Sequence, residues 1–425
     1  MNHPSTPLRS YRILIIGLVA MVVVLGIAFI ILVIGNAGSQ VDLGEVDVLA
    51  NSSDECVTCH REASPGIVNQ FSHSSMAAAE VTCRDCHEVK ADYPGAVEHE
   101  GGYVLAAPTT SMCEKGHQAE VAQYYQSRHS LPAYVAVAGS KDLSAQSMAM
   151  YQAIPEGSFA PDKARNAIAA IEGPVMTPFT CDNCHSIGAP ASDGSAGMCQ
   201  KGHIRHEFSL EQARKPETCN NCHIGPDHPQ WEIYQESAHG IQYATSGDSW
   251  NWEAEAGNLS VTDFPAPTCA LCHMSGFGTT GTTHDVGDRL SWFLFASISQ
   301  QRPSWQDNRT RMQSVCLECH NENFIQNLYT AADAATQHVN DWVQESNDLM
   351  APLQSQNLLT PEQFDEPIDF AYFNLWHYWG RTTKFGMWMQ GPDYSQWHGA
   401  YPLLETMADL REMANAKLQA AGATP

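Results

Sequence analysis

The sequence predicts a mainly α chain of short helices and loops folded around something other than a conventional core, with long helices only toward its C-terminus. Three observations lead there. All 14 cysteines fall in one kind of short motif spread over residues 56–320. Strand-forming runs are scarce in that half, which is broken by Pro, Gly, Ser and Asp. Apolar residues at spacings of three and four are sustained only beyond residue 320. At 425 residues the chain could hold two or three ordinary domains, or one domain built around bulky cofactors.

Six copies of the motif read Cys-x-x-Cys-His: Cys56, Cys59 and His60; Cys83, Cys86 and His87; Cys181, Cys184 and His185; Cys219, Cys222 and His223; Cys269, Cys272 and His273; Cys316, Cys319 and His320. A single copy could be a zinc half-site or a redox pair. Six copies, each with histidine directly after the second cysteine, identify c-type haem attachment. Two residues between the cysteines let a tight turn present both sulfurs to the two vinyl groups of one porphyrin, and the histidine reaches the iron from the same face. Two variants keep only the first cysteine: Cys113-Glu114-Lys115-Gly116-His117 and Cys199-Gln200-Lys201-Gly202-His203. They read as haems held by a single thioether, which makes eight haems. The alternative is two lost sites and six haems. No thiol remains for a disulfide. The prediction is a multihaem cytochrome c domain whose helices and loops wrap stacked haems.

The chain opens with a polar tip in which Arg9 and Arg12 are the charges, followed by an apolar run over residues 13–35, long enough to span a bilayer as a helix. The run exceeds the ~7–15 apolar residues of a cleaved signal, so a retained single-pass transmembrane anchor is expected. The two arginines place the N-terminus inside and the rest outside. That predicts a cell-membrane protein with an extracytoplasmic (periplasmic) haem domain, which agrees with where covalent haem attachment takes place. The division expected is a tip and anchor at 1–36, a short acidic linker at 37–54, the haem-binding domain at 55–320 and a helical region at 321–425. In that last region, long helices are expected over residues 321–350 and 403–420. Between them, residues 370–401 carry Trp376, Tyr378, Trp379, Trp388, Tyr394 and Trp397, read mainly as packing. The net charge of −25 argues against nucleic acid as a partner.

Eight of the 19 histidines are proximal ligands by position and His3 precedes the anchor. The rest are His73, His99, His129, His206, His228, His239, His284, His338, His377 and His398. Two histidines make an iron six-coordinate and suited to electron transfer, whereas an iron that does chemistry needs an open position. Eight haems with one open call for seven distal histidines, and the set expected is His73, His99, His129, His206, His239, His284 and His398. His206 lies three residues after the proximal His203, so the two would serve different irons. Asp227 and His228 form a pair that no haem attachment needs. Read locally, Asp227 could simply cap the following helix.

Beyond these motifs, the chain carries GPDHPQWEIYQESAHG at 225–240, CALCHMSG at 269–276 with THDVGDRLSW at 283–292, VCLECH at 315–320 followed by NFIQNLY, and GPDYSQWHG at 391–399. In these passages, in this order, the sequence resembles the octahaem hydroxylamine oxidoreductase family from Cys56 to about Pro402. The resemblance implies eight haems, with the catalytic one on Cys181, Cys184 and His185. It implies that Asp227 and His228 stand over its open face and handle protons of bound hydroxylamine or hydrazine. It further implies that Tyr329 is the residue that, in oxidative members, cross-links to a neighbouring subunit's catalytic porphyrin, and that the protein is a homo-oligomer, possibly a trimer. Members without the cross-link reduce nitrite to ammonia. The two CxKGH sites and the anchor depart from the family pattern; the anchor points to a quinone-linked or cytochrome redox partner at the membrane. Haem counting alone fits a third reading, a membrane-tethered electron-transfer cytochrome without catalysis.

Overall fold

The structure, a computed structural model, describes residue 21 and residues 47–154, 160–204, 206–257 and 259–422. The chain divides into two units, Met1–Ser52 and Ser53–Pro425. The apolar run at 13–35 falls in the first unit and, Met21 apart, lies outside the described residues. Among the described residues no helix is long and apolar enough to cross a membrane.

In the second unit, up to His320, the structure is a series of short helices joined by turns and loops, and the attachment motifs themselves nucleate several of them. Cys83–His87, Cys181–His185 and Cys269–His273 are each a five-residue helix ending on the ligand histidine. Local capping starts such turns. Asp54 accepts from the backbone N–H groups of Cys56 and Val57 (2.8 and 3.1 Å), and Asp85 reaches back to the Thr82 N–H (2.8 Å), which satisfies donors that a helix start leaves free. The described strands form two antiparallel ribbons, Val97–His99 with Gly102–Val104 and Trp292–Phe293 with Gln300–Gln301. The first closes through Glu100 and Gly101, both at positive φ (47° and 78°), as a two-residue hairpin requires. Its register pairs His99 with Gly102 and leaves that imidazole at the tip.

The periodicity beyond His320 produces a 34-residue helix, Glu322–Ser355, started by the Asn321 side chain accepting from Phe324 N–H (3.0 Å). Its buried residues Ile325, Tyr329, Ala332, Thr336, Val339, Val343, Ser346, Met350 and Leu353 recur at three and four, one stripe of an α-helix. It stops where Asn357 turns left-handed (φ 54°) and Leu358 N–H bonds back to the Leu353 carbonyl (2.8 Å), a Schellman closure. The final helix, Tyr401–Ala420, packs against it through Leu403, Met407, Leu410, Ala414 and Leu418, joined by Ile368 and Leu375. Trp342, Trp376 and Trp379 border this cluster. The connection between the long helices runs through Pro367–Asn374, a π-helical turn Leu375–Gly380 and the helix Arg381–Met389. The long helices expected over 321–350 and 403–420 are thus present, the first running on to Ser355 and the second starting at Tyr401.

Candidate haem array and active site

Each proximal imidazole must offer Nε2 to an iron, and its Nδ1 tells whether the protein holds the ring for that purpose. His87 Nδ1 donates to the Leu105 carbonyl and His185 Nδ1 to the Ala133 carbonyl, both at 2.7 Å. Buried Arg289 fixes the motif at Cys269–His273 by donating to the carbonyls of Leu271, Cys272, Met274, Ser275 and Gly281 (2.7–3.3 Å). Burial pushes His273 and His129 down to about 4 and His223 to about 3. These rings are therefore neutral bases, the form that binds metal.

An iron held between two imidazoles by bonds of about 2 Å separates the ring centres by roughly 6 Å. Among the described residues, five pairs of a motif histidine with an expected distal one meet that spacing: His60 with His99 at 6.0 Å, His87 with His206 at 6.3 Å, His223 with His129 at 5.9 Å, His203 with His284 at 6.4 Å, and His320 with His239 at 6.1 Å. The donor set therefore fits haem. His206 and His203 do face different partners. Local structure aims several of these rings. Ser237 caps the helix Ala238–Ser246 and puts His239 in its first turn, where Gly240 is obligatory because a Cβ would collide with the Tyr234 carbonyl. Ser127 Oγ accepts from His129 N–H at 3.1 Å.

Two expected distal ligands are not brought into such a pair among the described residues. His73 donates Nδ1 to the Asn69 carbonyl (2.7 Å) and leaves Nε2 free. His398 is half exposed, sits 3.0 Å from Asp393 and stacks on Tyr394, so its local contacts tie it to its own turn. His338 packs against Trp342.

Neighbouring motifs also touch through their sulfurs. Cysteine side chains approach one another between Cys113 and Cys199, Cys184 and Cys222, and Cys219 and Cys269, and Cys184 Sγ lies 3.8 Å from the Asn221 carbonyl of the sixth motif. The third motif thus abuts the fifth, the fourth abuts the sixth, and the sixth abuts the seventh.

Asp227 does not cap the helix Gln230–Glu236, which has Pro229 at its N-cap and no side-chain cap. Its Oδ2 instead accepts from His228 Nδ1 (2.8 Å), while Oδ1 accepts from Arg381 Nη1 (2.6 Å). Arg381 Nη1 also donates to His377 Nε2 (2.9 Å) and its Nε to the Phe295 carbonyl (2.8 Å). Because Nε2 of His377 is the acceptor, Nδ1 carries the proton. It lies 3.1 Å from Asp227 Oδ1, yet it makes no aligned hydrogen bond, so this contact is charge proximity only. Burial alone would raise the Asp227 carboxyl. The His228 hydrogen bond and the charges of His228, His377 and Arg381 outweigh it and hold the group well below the usual carboxylate range. Burial, helped by Arg381 and opposed by Asp227, pushes His377 down to about 3.

The His228 ring centre lies 6.2 Å from His185 at 80°, and 6.0 Å from His223. Phe295 packs on it at 4.8 Å and carries the Arg381 guanidinium on its ring at 5.3 Å. Sequence reasoning found Asp227 and His228. It missed Arg381 and the role of His377, whose only signal is a His and an Arg four residues apart before a Lys and aromatics. Tyr329 lies elsewhere. Its ring is 6% exposed, under the Arg309 guanidinium (4.7 Å) and edge-on to Trp388 (5.4 Å). The ring is thus packed within its own chain.

The fold and these donor sets are those of a multihaem c-type cytochrome. Residues 79–367, more than half the chain, match the family described as seven times multi-haem cytochrome CxxCH, and the chain belongs to it. It is 29% identical over 245 residues to the probable nitrite reductase-hydroxylamine oxidoreductase fusion protein of Kuenenia stuttgartiensis, covering 52% of this chain and 25% of that one. The chain thus spans about a quarter of that relative's length. A solved structure of a hypothetical multiheme protein superposes with a TM-score of 0.73 at 20% identity, over 87% of this chain and 96% of that one. The Kuenenia stuttgartiensis reducing HAO-like protein complex gives 0.64 at 19% identity, over 86% and 85%. By family the chain is a multihaem cytochrome, and its likeness to the reducing HAO-like complex is one of fold.

Proposed function

We propose that the protein oxidises hydroxylamine or hydrazine at the haem of Cys181, Cys184 and His185, and passes the electrons through the other haems to a cytochrome or quinone-linked partner. The reading takes eight haems, two of them at the CxKGH motifs, with the five imidazole pairs above as bis-histidine wires. It also takes residues 13–35 as a membrane anchor with the haem domain outside the cytoplasm. The single observation that carries the reading is the Asp227–His228–Arg381 cluster facing His185.

The haem supplies an iron that binds substrate nitrogen and accepts electrons. The chain's own residues handle the protons. Asp227 accepts from His228 Nδ1–H and so fixes the tautomer whose Nε2 is unprotonated. Arg381 shares the same carboxylate at 2.6 Å and so holds Asp227 in place to orient the imidazole. Such a base removes a proton from a substrate N–H or O–H. Phe295 and Arg381 close one side of His228 against water.

Two observations favour rivals. The enclosed Tyr329 favours the reverse direction, nitrite to ammonia, for which no intersubunit cross-link is called for. The His185–His228 spacing equals that of the ligand pairs and favours a wire in which His228 binds the iron. Turnover assays with hydroxylamine and an electron acceptor, and with nitrite and a reduced donor, separate the directions. Absence of both activities in the fully haem-loaded protein would leave the wire.

A further inference from the structure

The third and fifth motifs keep one cysteine each, and the fold brings those two cysteines together. The two sulfurs sit against two neighbouring residues, Thr109 and Thr110. Cys113 Sγ lies 3.9 Å from the Thr109 carbonyl and Cys199 Sγ 3.8 Å from Thr110 Oγ1. Cysteines of complete motifs approach one another in the same way at Cys184–Cys222 and Cys219–Cys269. The fifth motif has a second mark of a loaded site. His203 faces His284 at 6.4 Å, nearly parallel, and His284 Nδ1 is buried without a hydrogen-bond partner. A disulfide between the two cysteines would account for the sulfur contact, but not for an imidazole pair set at iron-bridging distance.

The glycines in the second cysteine's place are not there for the backbone's sake. Gly202 has φ −98° and ψ −35°, open to any residue, and Gly116 is not among the positive-φ positions. A Cβ on Gly116 meets nothing within 4 Å, and one on Gly202 meets only the Cys199 carbonyl at 3.8 Å, ordinary van der Waals contact. The turns that should present a second sulfur are intact, with only the sulfur missing.

We infer that the third and fifth motifs hold an adjacent pair of haems, each joined by one thioether and each keeping one unreacted vinyl group. The inference rests on the eight-haem reading above. Attachment adds S–H across a vinyl double bond: a C–S bond forms, the proton goes to the other vinyl carbon, and no electrons are exchanged. A complete motif does this twice and CxKGH once, so one C=C stays conjugated with the porphyrin. Conjugated vinyl withdraws electron density and raises the iron's reduction potential. Lys201 Nζ of the fifth motif donates to the Asn183 carbonyl of the fourth at 2.7 Å. The pair therefore adjoins the proposed catalytic haem, where a more oxidising neighbour draws electrons off the site.

The test is digestion of the full-length holoprotein and reduced pyridine haemochrome spectra of its haem peptides. Peptides carrying His117 and His203 should absorb at longer wavelength than those from the six complete motifs. In the Gly202→Cys protein the His203 peptide should return to the common wavelength, and one low-spin haem should titrate at lower potential. Haem-free peptides joined by a Cys113–Cys199 disulfide would overturn the inference, as would wild-type bands that coincide with the complete motifs. An unchanged midpoint in Gly202→Cys would overturn the tuning role. Hydroxylamine turnover, measured in parallel, reports on the His185 site independently of either result.

Discussion

Arg381 joins residues that the sequence keeps 154 positions apart, holding Asp227 with one nitrogen that also pins His377. That contact was not legible, because nothing in the spacing of a surface-like Arg says it will be buried. The Asp227–His228 pair was legible because adjacency and an absent structural need mark it locally. His228→Ala should lower turnover by about 10²- to 10⁴-fold with the haem mass unchanged; unaltered turnover would remove His228 from the chemistry. Arg381→Met leaves the carboxylate without its cation and should destabilise the fold by roughly 2–4 kcal/mol in urea, and Arg381→Lys should restore charge but not the fork. The acid side carries a sign. Asp227 titrates lower folded than its ordinary ~3.9, so its stabilisation is full above that pH and is lost as pH falls toward the folded value. His377, at about 3 folded against ~6.5 unfolded, takes its proton first in the unfolded chain, so stability falls as pH drops below ~6.5. Urea midpoints against pH should slope downward below ~6.5, and His377→Gln should flatten the upper part of that slope.

Helices show the same division between local and distant causes. Glu322–Ser355 and Tyr401–Ala420 were readable because their buried residues repeat at three and four. Their ends were not, since the first runs on through Pro352 to a Schellman turn at Asn357 and the second begins one residue before Pro402. The π-helical turn Leu375–Gly380 has no sequence signal at all. It is imposed by packing and carries His377, as π-turns at functional positions often do. Distal histidines were legible as a set, whereas pairing was not, because His87 meets His206 across more than a hundred residues. The cluster built on the C-terminal pair of helices is the largest among the described residues. Leu410 is fully buried in it, and Leu410→Ala should cost about 2–5 kcal/mol in chemical unfolding. A loss under 1 kcal/mol would mean that haem packing alone sustains this region.

At the scale of the molecule, close approaches between motifs link the third to the seventh into one array. In it the fourth motif touches the sixth and adjoins the fifth. On the function proposed above, an enzyme differs from a wire in one open coordination position, at the haem that His185 would hold. The His228 ring lies 6.2 Å from His185, within the range of the imidazole pairs, yet its Nδ1 is committed to a carboxylate already paired with Arg381. The most direct measurement is electron paramagnetic resonance and resonance Raman spectroscopy of the resting, fully haem-loaded protein before and after hydroxylamine. The account predicts one high-spin haem among low-spin ones, with hydroxylamine altering that signal alone. Uniformly low-spin haems that hydroxylamine leaves unchanged would contradict it.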